Sequence, residues 1–396
     1  MIWLAPLFLY IILPFELPIK VDFYYVAISI LSIASILLID FFKKCTRLFL
    51  NPKYDSKDEF FFKFLLLCSY LYIPVIIINF YSSGVDLSSS FGANRNTFTS
   101  GDGGILSQLS VLFSGALVLS VMMYNNVSMK GNCYKKHLIF LSLFIVICNL
   151  IVGNRQILNI FAFVFLIKYF IINDRINLLS KKFFLFSFIL VFIISFMLWF
   201  QFKRQDFVVG GISGQMDFLY SISNIECTAK NFCNSIFAAP FLYIFQYYGN
   251  EYHGLTAVLS LDVDSPIFSQ TLPVVYRRYS DFMGLPTQEE IRQMVHGAIE
   301  NKYNIFPRFW STMYSQIYLD FGWFGIITFN VIITCCITYN RVKFYLFGNY
   351  VNYLNYVFCL FFMTFGLMFF PLVEPLIFFM LLFLMAFNII KKLKIK

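Results

Sequence analysis

FFLFSFILVFIISFMLWFQF, residues 183–202, followed at once by Lys203-Arg204-Gln205-Asp206, decides how this 396-residue chain is read. Twenty apolar residues in a helix cover about 30 Å, the thickness of a bilayer's hydrocarbon, and the abrupt polar boundary marks its surface. The next segment, from about Lys203 to Pro307, is too polar to cross a membrane and too mixed in composition to be disordered. It sets seven basic residues against ten carboxylates and holds His253, His296, Cys227 and Cys233. Any chemistry is expected there.

The rest of the chain is membrane-like. Hydrophobic residues make up 59% and charged residues only 13%, against about 45–50% and 25% in soluble proteins. The expected fold is an all-α polytopic integral membrane protein of about ten transmembrane helices. Spans are predicted near 2–19, 23–42, 60–81, 104–124, 138–152, 157–172, 183–202, 314–339, 351–370 and 372–390. Residues 1–202 then hold seven spans and an outer loop at 82–103. Residues 203–313 form one large extracytoplasmic loop containing short amphipathic helices, and residues 314–396 hold spans eight to ten and a basic tail. The first span is the weakest, broken by Pro6, Pro14 and Pro18 and carrying Glu16. The first eighteen residues lack a basic leader and a small-residue cleavage site, so that span is expected to stay.

The formal charge of +9 could suggest nucleic acid. Its distribution argues otherwise. Basic residues cluster between apolar runs, at Lys43-Lys44-Arg47, Lys130-Lys135-Lys136, Lys181-Lys182 and the C-terminal Lys391-Lys392-Lys394-Lys396, as positive-inside loops do. Both termini are therefore expected in the cytoplasm, with Trp199, Trp310 and Trp323 at the outer interface. No inverted repeat joins the halves, which weighs against a secondary transporter.

Inside the large loop, Ile236 to Tyr248 is apolar but too short to span, as a re-entrant or interface-lying segment would be. Thr287 and Glu290 have the spacing of a capping box, and Ile291, Met294, Val295, Ala298 and Ile299 then form one apolar stripe opposite Arg292, His296 and Glu300. Cys227 and Cys233 could be bridged in an oxidising compartment. The other seven cysteines read as small apolar fillers. No CxxC, HExxH, P-loop or GxGxxG occurs, so no metal and no nucleotide cofactor is expected.

Candidate residues follow from chemistry. Asp320, near the outer end of span eight, needs a partner because a carboxylate at membrane depth costs about 2.5–3.5 kcal/mol at mid-span; Arg308 is the nearest cation. That pair either fixes the helix or serves a site. Arg155, in the hairpin Gly153-Asn154-Arg155-Gln156, is an interfacial anchor or a ligand contact. Arg277 and Arg278 are adjacent guanidiniums suited to phosphate, or a solvated loop pair. His296, on a polar face, can take up a proton near neutral pH, whereas His253 in its aromatic segment can simply be packed. Glu16 and Glu374, flanked by prolines, are weaker candidates.

This topology, the short Arg155 hairpin and the stretch RFWSTMYSQIYLDFGWFG at 308–325 resemble the bacterial oligosaccharide repeat-unit polymerases, the Wzy-type O-antigen or capsule polymerases. The resemblance implies a glycosyltransferase of the bacterial inner membrane without a nucleotide-sugar site. It would move a growing glycan from its undecaprenyl pyrophosphate carrier onto the terminal sugar of a new lipid-linked unit, with a chain-length regulator as an expected partner. Such a reaction needs fixed cations for the pyrophosphate, here Arg155, Arg277, Arg278 and Arg308. It also needs a base for the acceptor hydroxyl, here His296, with Asp320 or Glu290 behind.

Two alternatives share parts of this pattern. An O-antigen ligase would use the same donor and a different acceptor. A lipid-linked oligosaccharide flippase would be expected to have short loops and a charged cavity. A membrane acyltransferase is disfavoured because no expected span holds a histidine.

Overall fold

A computed structural model describes most of residues 55–86, 104–124, 132–172, 225–245, 251–303, 312–366 and 370–392, with isolated residues elsewhere. The expected spans at 23–42 and 183–202 lie largely outside these residues, as do Arg155 and Arg308. Twelve α-helices and two short strands are followed below. Five of the helices are long and apolar enough to cross a membrane, which agrees with an all-α membrane protein.

The chain forms two compact units. One contains Cys45–Val208, Tyr339–Phe361 and Pro375–Lys396. Its helices α1 (Ser56–Ser83), α2 (Ile105–Met123), α3 (Asn132–Ile151) and α4 (Gln156–Ile172) are joined by α12 (Pro375–Lys392). Helix α1 begins in a capping box, with Asp55 accepting from the N–H of Lys57 and Asp58, and ends at Gly84 in the left-handed conformation. Its residues pack along α2, and α2 also carries α12. The contact is close because α2 is small on that face: a Cβ at Gly115 would stand 3.2 Å from the Leu376 carbonyl oxygen. Small residues let backbones approach where lipid provides no hydrophobic drive. Ser110, Ser114 and Ser120 on the same helix turn their hydroxyls onto carbonyls one turn back, so burial leaves none of them unsatisfied.

Two polar clasps hold this unit. Lys391 on α12 bridges Asp55 at 2.5 Å and the fully buried Asp58 at 2.7 Å, beside a stacked Phe61–Phe387 pair. Farther along, Asn340 accepts from Asn352 at 2.9 Å and Asn355 at 3.3 Å, while Asn355 and Asn388 exchange hydrogen bonds at 3.1 and 3.2 Å. No motif marks these asparagines in the sequence. Amides buried among apolar helices pair because unpaired they would cost several kcal/mol in hydrocarbon.

The other unit contains Met1–Lys44, Val209–Thr338 and Phe362–Glu374. Here the first expected span is corrected. Phe15–Glu16 is a strand, β1, paired antiparallel with β2 (Glu226–Cys227), Phe15 opposite Cys227 and Glu16 opposite Glu226. Pro14 interrupts a helix there, and the freed backbone is satisfied instead by the loop: Thr228 N–H donates to the Pro14 carbonyl at 3.0 Å. Phe15 is buried between the rings of Tyr220 and Phe245. The large loop is itself helical, with α5 (Lys230–Cys233), α6 (Ala238–Ile244), α7 (Glu251–Leu259), α8 (Pro273–Met283) and α9 (Gln288–Tyr303).

Span eight is also corrected. The helical run α10 (Met313–Phe347) is broken at Gly322, whose φ of 61° and ψ of −158° suit glycine alone. Tyr314 donates from its hydroxyl to Asn330 Oδ1 at 2.8 Å. Sixteen residues of straight helix would separate them by about 24 Å, so residues 313–321 fold back along the helix that follows. Gly325 makes room at the crossing, where a Cβ would fall 2.3 Å from that of Phe321. Met313 N–H donates to the Gly366 carbonyl at 2.8 Å, beyond the end of α11 (Tyr350–Phe365) and before the 3-10 turn Pro371–Val373.

Candidate functional site

The core of the loop region forms where α7, α9 and the short limb 313–321 meet, through Ala257, Val258, Leu261, Val295, Ile299 and Leu319. The expected stripe of α9 is largely what faces it: Ile291, Val295 and Ile299 are buried, whereas Met294 is 47% exposed and lies outside the core. The capping box forms as spaced, with Thr287 N–H donating to Glu290 Oε2 at 2.6 Å and Glu290 N–H to Thr287 Oγ1 at 3.2 Å. The Thr287 N–H, and its hydroxyl donating to the same Oε2 at 3.0 Å, hold the Glu290 carboxyl below the usual range, which commits it to the cap.

Asp320 sits at the end of the short limb, 5% exposed. Its oxygens accept from the N–H of Gln270 at 3.0 and 3.2 Å, from Thr271 N–H at 2.7 Å, from Thr271 Oγ1 at 2.6 Å and from Ser269 Oγ at 3.1 Å. Ser265 Oγ donates to the Leu319 carbonyl at 2.8 Å. A buried carboxylate is stable only when so surrounded. The partners anticipated from sequence were cations; the described partners are the hydroxyls and amides of Ser265–Thr271. That cluster of Ser, Gln and Thr just ahead of Pro273 was its only trace in the sequence. The clamp also stabilises an unusual backbone, since Phe268 within it has φ +68° and rests edge-on against Phe321, centroids 5.4 Å apart.

From the clamp the chain enters α8 with Pro273 in its first turn and leaves at Gly284, φ +63°. Arg277 and Arg278 are both exposed; Arg277 Nε donates to Gln288 Oε1 at 3.0 Å, and Tyr276 OH to the Pro286 carbonyl at 2.6 Å. Burial, then the charges of Asp320 and Glu290, push the Tyr276 hydroxyl up and keep it a donor. These contacts tie α8 to α9.

His296 is half-buried on α9. Burial, then the Arg292 guanidinium, lower its basicity, opposed by Glu289. Arg292 and Glu289 themselves stand 3.9 Å apart. The imidazole is thus held toward its neutral form, able to accept a proton. His253 is fully buried beside Phe245, as a packed histidine. One further histidine corrects an expectation: α3 starts at Asn132, earlier than the span expected from 138, so His137 lies within it, its Nδ1 2.5 Å from Tyr70 OH.

Cys227 and Cys233, left open by the sequence, form a disulfide with Cα atoms 6.4 Å apart. Cys68, Cys148, Cys335, Cys336 and Cys359 are not disulfide-bonded. In the Gly153–Gln156 hairpin, Asn154 Oδ1 accepts from Gln156 N–H at 3.0 Å and Asn154 Nδ2 donates to Asn149 at 3.1 Å, which shapes the turn.

Among the residues expected to act, the structure thus sets Arg277 and Arg278 on α8, His296 on the adjoining α9, and Asp320 beneath the segment that leads into α8. Comparison with known proteins yields no matching family model, no matching curated protein and no matching solved structure.

Proposed function

We propose that this chain is a membrane polymerase of lipid-linked oligosaccharide repeat units, acting on the extracytoplasmic side of a bacterial inner membrane. The observation that carries the reading is the join of α8 and α9: two exposed guanidiniums on one helix and a half-buried imidazole held toward neutrality on the next, tied by the Arg277–Gln288 and Tyr276–Pro286 hydrogen bonds. The Cys227–Cys233 disulfide supports an oxidising compartment for this region.

In this reading an acceptor sugar hydroxyl attacks the anomeric carbon of the growing chain. The bond from that carbon to the carrier pyrophosphate breaks, the hydroxyl proton passes to His296, and undecaprenyl pyrophosphate leaves. Arg277 and Arg278, with Arg308, neutralise the departing charge, which preorganised donors do at no reorganisation cost. Asp320 is a positioning residue, since its carboxylate is already occupied by Ser269, Gln270 and Thr271. The donor and acceptor are both lipid-linked, and the partner in the cell is a chain-length regulator.

The test is complementation of a deletion strain. Arg277→Ala with Arg278→Ala is expected to reduce the polysaccharide ladder to single capped units at unchanged protein level. A full ladder overturns the assignment of these cations. Loss of transfer with long carrier-linked glycan still accumulating overturns polymerase in favour of ligase.

A further inference from the structure

Helix α8 has three faces. Pro273, Tyr276 and Ser280 are buried, and Arg277, Arg278 and Asp281 are exposed on a second side. On the third, Val275, Tyr279, Phe282 and Met283 recur at i, i+4, i+7 and i+8, one continuous stripe by helical spacing. That stripe is uncovered: Phe282 is 88% exposed, Met283 65% and Val275 40%. Ile267, 55% exposed, extends it, held there by the Tyr279 hydroxyl donating to its carbonyl. An apolar face of this kind on a polar region is normally covered by something.

Three observations indicate what. The described residues include five helices long and apolar enough to cross a bilayer, so lipid is always near. The clamp ties the patch to the start of an apolar helix: Asp320 fixes the segment leading into α8, and Phe268, adjoining Ile267, packs on Phe321 immediately before the break at Gly322. Beyond the break, Trp323 and the 78% exposed Phe324 open the apolar helix, in the manner of residues at a membrane boundary. Finally, Arg278 flanks the stripe beside Phe282, so a cation borders the apolar face as in helices lying on anionic membranes.

We propose that α8 lies in the membrane interface, its Val275–Tyr279–Phe282–Met283 stripe sunk among acyl chains and its Arg278 guanidinium at the level of the lipid phosphates. The occupant of this surface is the bilayer in which the chain itself sits. The proposal depends on the chain crossing a membrane and not on the polymerase reading, so either can fail without the other.

Spin labels at Phe282→Cys and, as a water-facing control, Gln293→Cys test it in the full chain, with the free cysteines replaced and the protein reconstituted in nanodiscs containing phosphatidylglycerol. The label at 282 is expected to collide several-fold more with oxygen than with an aqueous nickel chelate, and the label at 293 the reverse. Adding R278Q is expected to shift the 282 label toward the chelate. Ready access of the chelate to 282 overturns the proposal. So does protection of 282 from both reagents, which would mean that a protein or a second copy covers the stripe. A 282 label that keeps its depth in the R278Q variant overturns the role of the guanidinium.

Discussion

Asp320 and Thr271 meet through two hydrogen bonds, 2.7 Å from the backbone N–H and 2.6 Å from the hydroxyl, and this pairing joins the large loop to the helix that follows it. Here a carboxylate that the sequence offers as a second candidate base holds the backbone of residues 269–271.

Replacing Asp320 with Ala strands the N–H groups of Gln270 and Thr271 and the hydroxyls of Ser269 and Thr271 in a buried site. Charge-assisted hydrogen bonds contribute about 1.5–3 kcal/mol each, though not additively. We expect a destabilisation of about 3 kcal/mol and new proteolytic cleavage within residues 265–271. Asp320→Asn should cost less, and thermal unfolding in detergent measures both. An unchanged melting temperature for Asp320→Ala would refute the clamp.

At Gly322 any side chain meets a backbone conformation open to glycine only. Gly322→Ala is expected to cost about 1–3 kcal/mol. Gly325→Ala must also push Phe321 aside. In each variant the Tyr314–Asn330 contact should loosen, seen as lost cross-linking between cysteines placed at 314 and 330. Retained cross-linking in both would show that the glycines are dispensable for the fold-back.

The disulfide closes a short loop, with a sequence separation of 6. Chain-entropy arguments give about 2 kcal/mol for such a bridge. Cys227→Ser should lower the melting temperature accordingly. In membranes from living cells, both thiols should resist alkylation until a reductant is added. Immediate labelling of both without reductant would place them in a reducing compartment.

Because His296 is less basic in the fold than the value of about 6.5 for a free imidazole, it contributes stability above that pH, and the contribution is lost as pH falls through the lower folded pKa. If the same imidazole is the base, turnover of lipid-linked substrate should fall with an inflection below 6.5. Arg292→Gln should move that inflection up and Glu289→Gln should move it down, since the first removes a cause of the lowering and the second removes its opposition. An inflection that ignores both changes would exclude His296.

The membrane class was legible in residues 183–202 and their counterparts because apolar length is a local property: a helix either has enough nonpolar residues to cover the hydrocarbon or it does not. The α9 cap and stripe were legible for the same reason, their partners lying three or four residues apart. What the sequence could not determine was every relation between distant residues. Strand β1 exists because Glu226 and Cys227 satisfy its backbone, the fold-back of α10 because Gly322 turns the chain, Gly325 leaves room for Phe321 and Tyr314 reaches Asn330, and the Asp320 clamp because four donors converge from some fifty positions earlier. Only tertiary structure decides these, because a buried polar group takes whichever partner the packing brings within hydrogen-bond reach, and the charge nearest in sequence has no priority over a hydroxyl nearest in space.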